Sequence, residues 1–139
     1  MAARFTVPRD IYFGAGALDE LATLKGYKKA LIVCGGNAMR RGGFIAKMEK
    51  VLGDGGMEVQ VFDGVEPDPS VETVMKGKAK MLEYEPDVIV AIGGGSPIDA
   101  AKAMWTLYEY PEMSFQDIVV PFGLPELRKK AKFVACGAT

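Results

Sequence analysis

Hydrophobic positions along the chain fall into three recurring blocks, each pairing a short unbroken apolar run with a longer segment whose apolar residues recur at helical spacing. The first run, Lys29–Cys34, is stopped by Gly35-Gly36-Asn37. A run that is apolar at successive positions predicts a strand buried on both faces. Phe44, Ile45, Met48, Val51 and Leu52 then mark a helix that Gly55-Gly56 closes, because glycine readily supplies the left-handed residue that ends helices. Residues 57–62 predict a second strand. After Pro67-Asp68-Pro69, Ser70 is placed as the N-cap of a helix ending before Pro86, with Glu72 in its first turn. Val71, Val74, Met75 and Leu82 are its expected buried stripe. Residues 87–92 form the strongest predicted strand and run into Gly93-Gly94-Gly95-Ser96 and a helix reaching Tyr108.

The flanks carry weaker patterns. Residues 5–7 and 11–13, split by Pro8-Arg9-Asp10, predict a short strand pair or an extended entry segment. Gly16-Ala17-Leu18 opens a helical pattern with Leu18, Leu21, Ala22 and Leu24 on one side, ended by Gly26. Residues 111–125 predict a proline-punctuated loop, and residues 132–136 begin another strand. Strands alternating with helices over short connections predict an α/β fold, a Rossmann-like parallel sheet with flanking helices.

Composition narrows the field. A chain of 139 residues, 49% hydrophobic and 25% charged, suits one globular domain with a core. Its net charge of -1, from 17 basic and 18 acidic residues, creates no field that would draw it to nucleic acid or an anionic membrane. No apolar stretch predicts a membrane span and the N-terminus lacks a signal-peptide core, so the cytoplasm is the expected compartment. Cys34 and Cys136 lack paired spacing and read as reduced thiols. There is no histidine. The usual neutral-pH acid/base and the commonest nitrogen ligand are therefore missing, and no catalytic residue or metal ligand is assigned.

The candidate chemistry lies at the predicted carboxyl ends of the strands, where an open parallel sheet collects ligands. In Gly93-Gly94-Gly95-Ser96-Pro97-Ile98-Asp99, glycines allow close backbone approach, and the next helix offers free N–H groups and a positive dipole end. A diphosphate fits Gly94, Gly95 and Ser96. Ser96 is placed as the N-cap, Pro97 at the first helical position and Asp99 at the third position of a capping box. Asp99 reads either as that cap or as a ligand contact. Gly36 and Asn37 follow the first strand without the acidic residue that takes ribose hydroxyls, and with Arg40 or Arg41 nearby they favour NADP(H) over NAD(H). Trp105 reads as packing, residues 128–132 as a solvated basic end, and Cys34 as the close of a buried strand.

The decamer Gly-Gly-Gly-Ser-Pro-Ile-Asp-Ala-Ala-Lys at 93–102 resembles the pyrophosphate-binding signature of iron-containing alcohol dehydrogenases, especially butanol dehydrogenase-like members. Residues 8–16, Val65-Glu66-Pro67-Asp68-Pro69-Ser70 and residues 125–135 resemble further family segments in the expected order. The resemblance implies an N-terminal Rossmann-like domain for NADP or NAD, followed by an all-helical domain binding iron or another divalent metal. Hydride would pass between a small alcohol or aldehyde and the nicotinamide. Carried over by position, Gly94, Gly95 and Ser96 bind diphosphate, Asp99 lies near the nicotinamide, and Gly36 and Asn37 flank the adenosine ribose. Asp68 stands where an asparagine is often found.

On this reading residues 1–139 are a truncated NAD(P)-binding domain, lacking the helical domain whose aspartate and histidines would hold the metal, and inactive alone. Where the family continues beyond the strand at Phe133 with a threonine- and serine-rich segment, this sequence has Cys136-Gly137-Ala138-Thr139. A different enzyme of the same superfamily would share the loop, but the Pro-Glu-Leu-Arg-Lys-Lys segment at 125–130 argues against it. The alternative is a non-catalytic nucleotide-binding or self-associating module, forming a homo-oligomer through an exposed apolar surface.

Overall fold

The three apolar runs become the centre of a parallel sheet. In the computed structural model, which describes residues 16–36, 43–118 and 127–137, the strands are β1 (Lys29–Cys34), β2 (Glu58–Phe62), β3 (Val88–Gly93) and β4 (Lys132–Gly137). Their order is β2-β1-β3-β4, all neighbours parallel. The predicted strand pair at 5–7 and 11–13, and Asn37, Arg40 and Arg41, lie outside the described residues.

Among the described residues, four α-helices and one 3-10 helix accompany the sheet: the 3-10 helix Ala17–Thr23, α1 (Phe44–Asp54), α2 (Val71–Tyr84), α3 (Gly95–Glu109) and the short α4 (Phe115–Ile118). Strand side chains alternate between two cores. Ala30, Ile32, Cys34, Val88, Val90 and Ile92 face α1 and the 3-10 helix, whereas Leu31, Val33, Ile89 and Ala91 face α2 and α3. Both faces of β1 and β3 are therefore covered, which is why those runs are apolar throughout. At roughly 1.5–3 kcal/mol per fully buried aliphatic side chain, these two strands contribute more than any cap or surface ion pair.

Three predicted burial patterns need correction. In α2 the buried residues are Val74, Gly77, Met81 and Tyr84, while Val71, Met75 and Leu82 are exposed. The helix turns Gly77 toward α3 because a Cβ there would fall inside the Met104 side chain; close helix approach, not apolarity, selects the face. In α1 Ile45, Met48 and Leu52 are buried, but Phe44, its first residue, is exposed. The segment after Gly16 is a 3-10 helix, whose three residues per turn align Leu18, Leu21 and Leu24 and leave Ala22 outside. The loop predicted at 111–125 also contains α4.

Ser70 caps α2 as expected, its Oγ accepting the Thr73 N–H at 3.1 Å. Trp105 packs as expected, stacked on Phe133 of β4 with ring centroids 4.9 Å apart. The basic residues of this segment are exposed, as expected, with Arg128, Lys129 and Lys130 lying over the rings of Trp105, Tyr110 and Tyr108 at 5.8, 5.1 and 5.0 Å. Among the described residues no helix is long and apolar enough to cross a membrane.

Candidate functional site

The strand order places a reversal at the centre of the sheet. From β1 the chain turns to α1 on one face and reaches β2. From β2 it passes α2 on the other face, crosses over and pairs β3 with the opposite side of β1. The loops leaving β1 and β3 therefore diverge toward opposite faces, opening a crevice between their carboxyl ends, the usual ligand position in such sheets. Gly35 and Gly36 lie on one side and Gly93, Gly94 and Gly95 on the other.

These glycines have different causes. A Cβ on Gly35 would overlap the Val65 carbonyl oxygen and lie 3.3 Å from Pro97 Cγ. One on Gly93, where φ is +136°, would lie 3.0 Å from the same Pro97 carbon. The Pro97 ring is thus wedged between the ends of β1 and β3, and Gly35 and Gly93 are glycine to admit it. Among the described residues a Cβ on Gly94 or Gly95 would meet no atom of another segment within 4 Å, and neither has a positive φ. Nothing inside the described structure demands glycine there; a ligand approaching the backbone would.

The start of α3 corrects the predicted cap. Its N-cap is Gly94, not Ser96, and no side chain caps it. Ser96 and Pro97 become the second and third helical residues. Proline is tolerated because first-turn N–H groups have no intrahelical partner in any case. The N–H groups of Gly94, Gly95 and Ser96 are left at the positive end of a 15-residue helix. Asp99, the fifth helical residue, is beyond the reach of a capping box and is exposed. Helical spacing puts it on the same side as Gly95 and Ser96, one turn farther along.

The third part of the rim is the segment 63–70. The Val65 N–H donates to the Cys34 carbonyl at 3.3 Å, pinning this segment across the end of β1. Glu66 Oε1 accepts the Thr73 hydroxyl at 2.6 Å and the Ser70 N–H at 3.1 Å. The Thr73 hydroxyl first, and then the Ser70 amide, hold the Glu66 carboxyl below the usual carboxylate range. Asp68 has φ +51°, a left-handed conformation that asparagine and aspartate adopt more readily than most residues. Its backbone alone accounts for the residue type.

The structure therefore gathers Gly36, Gly94, Gly95, Ser96 and Asp99 around the two central strand ends, and brings Asp68 to the same edge of the sheet through Val65. Asn37 lies outside the described residues. The sequence singles out Gly35, Val65 and Pro97 without their role as the packed floor, because contacts between distant segments leave no periodic signal. Cys136, in β4, has its thiol pushed up by burial, and neither cysteine is in a disulfide. Among the described residues no group of three or more histidine, cysteine, aspartate or glutamate side chains could hold a metal ion.

The chain is similar to known proteins in sequence and in fold. The chain is 60% identical over 136 residues to an NADPH-dependent butanol dehydrogenase of Clostridium saccharobutylicum, covering 98% of this chain and 35% of that protein. It is 40% identical to the bifunctional aldehyde-alcohol dehydrogenase AdhE of Escherichia coli (strain K12), over 96% of this chain and 16% of that protein. A solved structure of 1,3-propanediol oxidoreductase superposes with a TM-score of 0.86 at 31% identity, over 100% of this chain and 36% of that one. The four-stranded sheet and its helices match the N-terminal Rossmann-like domain of iron-containing alcohol dehydrogenase structures, and the chain spans about a third of their length. The model of the family described as iron-containing alcohol dehydrogenase matches residues 8–139, and the chain belongs to that family.

Proposed function

We propose that residues 1–139 form part of the NAD(P)-binding domain of an oxidoreductase that interconverts alcohols and aldehydes, with NADP(H) preferred. The observation that carries this reading is the open space over Gly94 and Gly95 beside the packed Gly35 and Gly93. The backbone N–H groups of Gly94, Gly95 and Ser96 hold the diphosphate. Asp99, an acceptor of hydroxyl and amide protons, faces the nicotinamide side, where its charge is a turn away from the phosphates. Gly36 and Asn37 flank the adenosine ribose and leave room for a further phosphate, and Asp68 contributes from the rim. When bound, the nicotinamide ring supplies the hydride chemistry.

The described residues do not fit an iron site: they offer no cluster of donors, and the sequence contains no histidine. No step through the metal is assigned to this chain, and turnover by the chain alone is not expected. NADP(H) preference finds support in the relative described as NADPH-dependent. Thiols rather than a disulfide at Cys34 and Cys136 support a cytoplasmic location. A second reading, self-association, has the exposed Val71, Met75 and Leu82 of α2 in its favour; sedimentation across a concentration series would reveal it.

The deciding experiment is parallel titration of the chain with NADPH and NADH, followed by nicotinamide fluorescence. Saturable NADPH binding, tighter than NADH and abolished by Gly95→Asp, is expected. No binding of either nucleotide would reject the nucleotide-binding reading.

A further inference from the structure

The last turn of α3 carries a carboxylate that nucleotide binding does not use. Glu109 is only 6% exposed, yet its two oxygens receive four N–H donors. Oε1 accepts from Lys129 N at 2.9 Å. Oε2 accepts from Lys130 N, Ala131 N and the Trp105 indole Nε1, each at 3.1 Å. Three of these donors are consecutive backbone amides, those immediately before β4. Successive N–H groups converging in this way form an anion-binding concavity, here filled by the protein's own carboxylate.

The chain enters this concavity through Arg128, whose φ of +72° turns it toward α3. Lys130 Nζ donates to the Tyr108 carbonyl at 2.8 Å. Directly afterwards the Lys132 N–H donates to the Asp87 carbonyl at 3.0 Å, and the pairing Val88↔Lys132 opens the β3-β4 ladder. The anchor thus sits one residue before the first rung.

That position matters because β4 carries little register information of its own. No residue in it is fully buried, whereas all of β3 and all of β1 but Lys29 are buried. A slip of one residue would send Phe133 and Val134 to each other's faces. At the far end of the strand, register pairs Ile92 with Cys136 and Gly93 with Gly137, at the foot of the glycine loop.

We propose that Glu109 is the positioning residue of β4, its buried carboxylate setting the strand's register and thereby the wall of the crevice beside Gly93. The second half of this statement rests on the nucleotide-binding reading; the first half does not. A carboxylate is an acceptor at both oxygens. The amide of a glutamine has one acceptor, so Glu109→Gln must turn an NH2 group toward at least one of the four donors.

The test is hydrogen exchange by NMR on wild-type chain and E109Q, with NADPH titrations of both. In E109Q the β4 amides bonded to β3 are expected to exchange about tenfold faster or more, while β1 amides keep their protection. NADPH affinity is expected to fall about three- to tenfold. Should E109Q not fold, E109D, which keeps the charge and shortens the reach by one methylene, takes its place with the same expectations. Unchanged β4 exchange, or equal loss of protection in β1 and β4, would overturn the positioning role. Faster β4 exchange with unaltered NADPH affinity would overturn the crevice-wall half alone. A wild-type chain that binds no nucleotide would overturn the nucleotide reading and the crevice-wall half together, while β4 exchange still decides the strand-positioning role.

Discussion

Two pairs of glycines, a few residues apart in space, answer to different constraints. A Cβ on Gly35 would collide with the Val65 carbonyl, and one on Gly93 would crowd the Pro97 ring at a φ that side chains rarely adopt. Among the described residues, nothing lies within 4 Å of a Cβ placed on Gly94 or Gly95. The first pair is explained by folding and the second is not. The same residue type therefore has two causes at one end of the sheet: crowding at Gly35 and Gly93 and, on the proposed reading, ligand approach at Gly94 and Gly95.

The contrast breaks most readily at Gly35. Gly35→Ala is expected to cost about 3 kcal/mol, because a backbone carbonyl has little room to retreat; a urea midpoint equal to wild type would remove the packed floor from the account. At the lip, Gly95→Ala should leave stability unchanged or raise it by up to about 1 kcal/mol, since alanine is the better helix former. The same substitution should weaken NADPH binding about tenfold, as the backbone can no longer approach diphosphate closely. Equal losses of stability and affinity would erase the distinction.

The amino end of the sheet sharpens the comparison from the other side, because there the strand starts are closed by their own side chains. Asp87 accepts the Lys28 and Lys29 amides at 2.8 and 2.9 Å, and the Tyr108 hydroxyl donates to the Pro86 carbonyl at 2.8 Å. Burial first, and then the charge of Glu58 for Tyr84 and of Glu85 for Tyr108, pushes each phenol up to about 12. A phenol held above its ordinary value favours the fold while it stays neutral. That contribution is complete below pH 10 and is lost as pH climbs from about 10 to 12. Ultraviolet titration of wild type beside Tyr84→Phe and Tyr108→Phe should assign the late-ionising phenols. Ionisation of both near pH 10 would show that this end is open to water.

The strands were legible because burial on both faces writes itself as an unbroken apolar run, as in β1 and β3. Ser70 was legible because a hydroxyl before a helical pattern has one strong use. The α2 stripe was not, because Gly77 is core for lacking a side chain, and a count of apolar residues assigns it no value. Ser96 was misplaced for a related reason: its hydroxyl suits a cap, but the chain turns helical two residues earlier, where glycine needs no cap side chain. Gly94, Gly95 and Ser96 stand out in the sequence only through their place after a buried strand. Pro97 was read as a helix starter, since its contact with Gly35 joins segments 62 residues apart.

The stacking of Trp105 on Phe133 has a spectroscopic consequence. This is the sole tryptophan of the sequence, 5% exposed, and its indole also donates to the Ala131 carbonyl at 3.1 Å. Its emission should lie to the blue while the last strand is docked and move to the red when that strand peels away. The chain thus carries an intrinsic fluorophore at the seam between its last long helix and its last strand, where partial opening is visible before the rest of the sheet lets go.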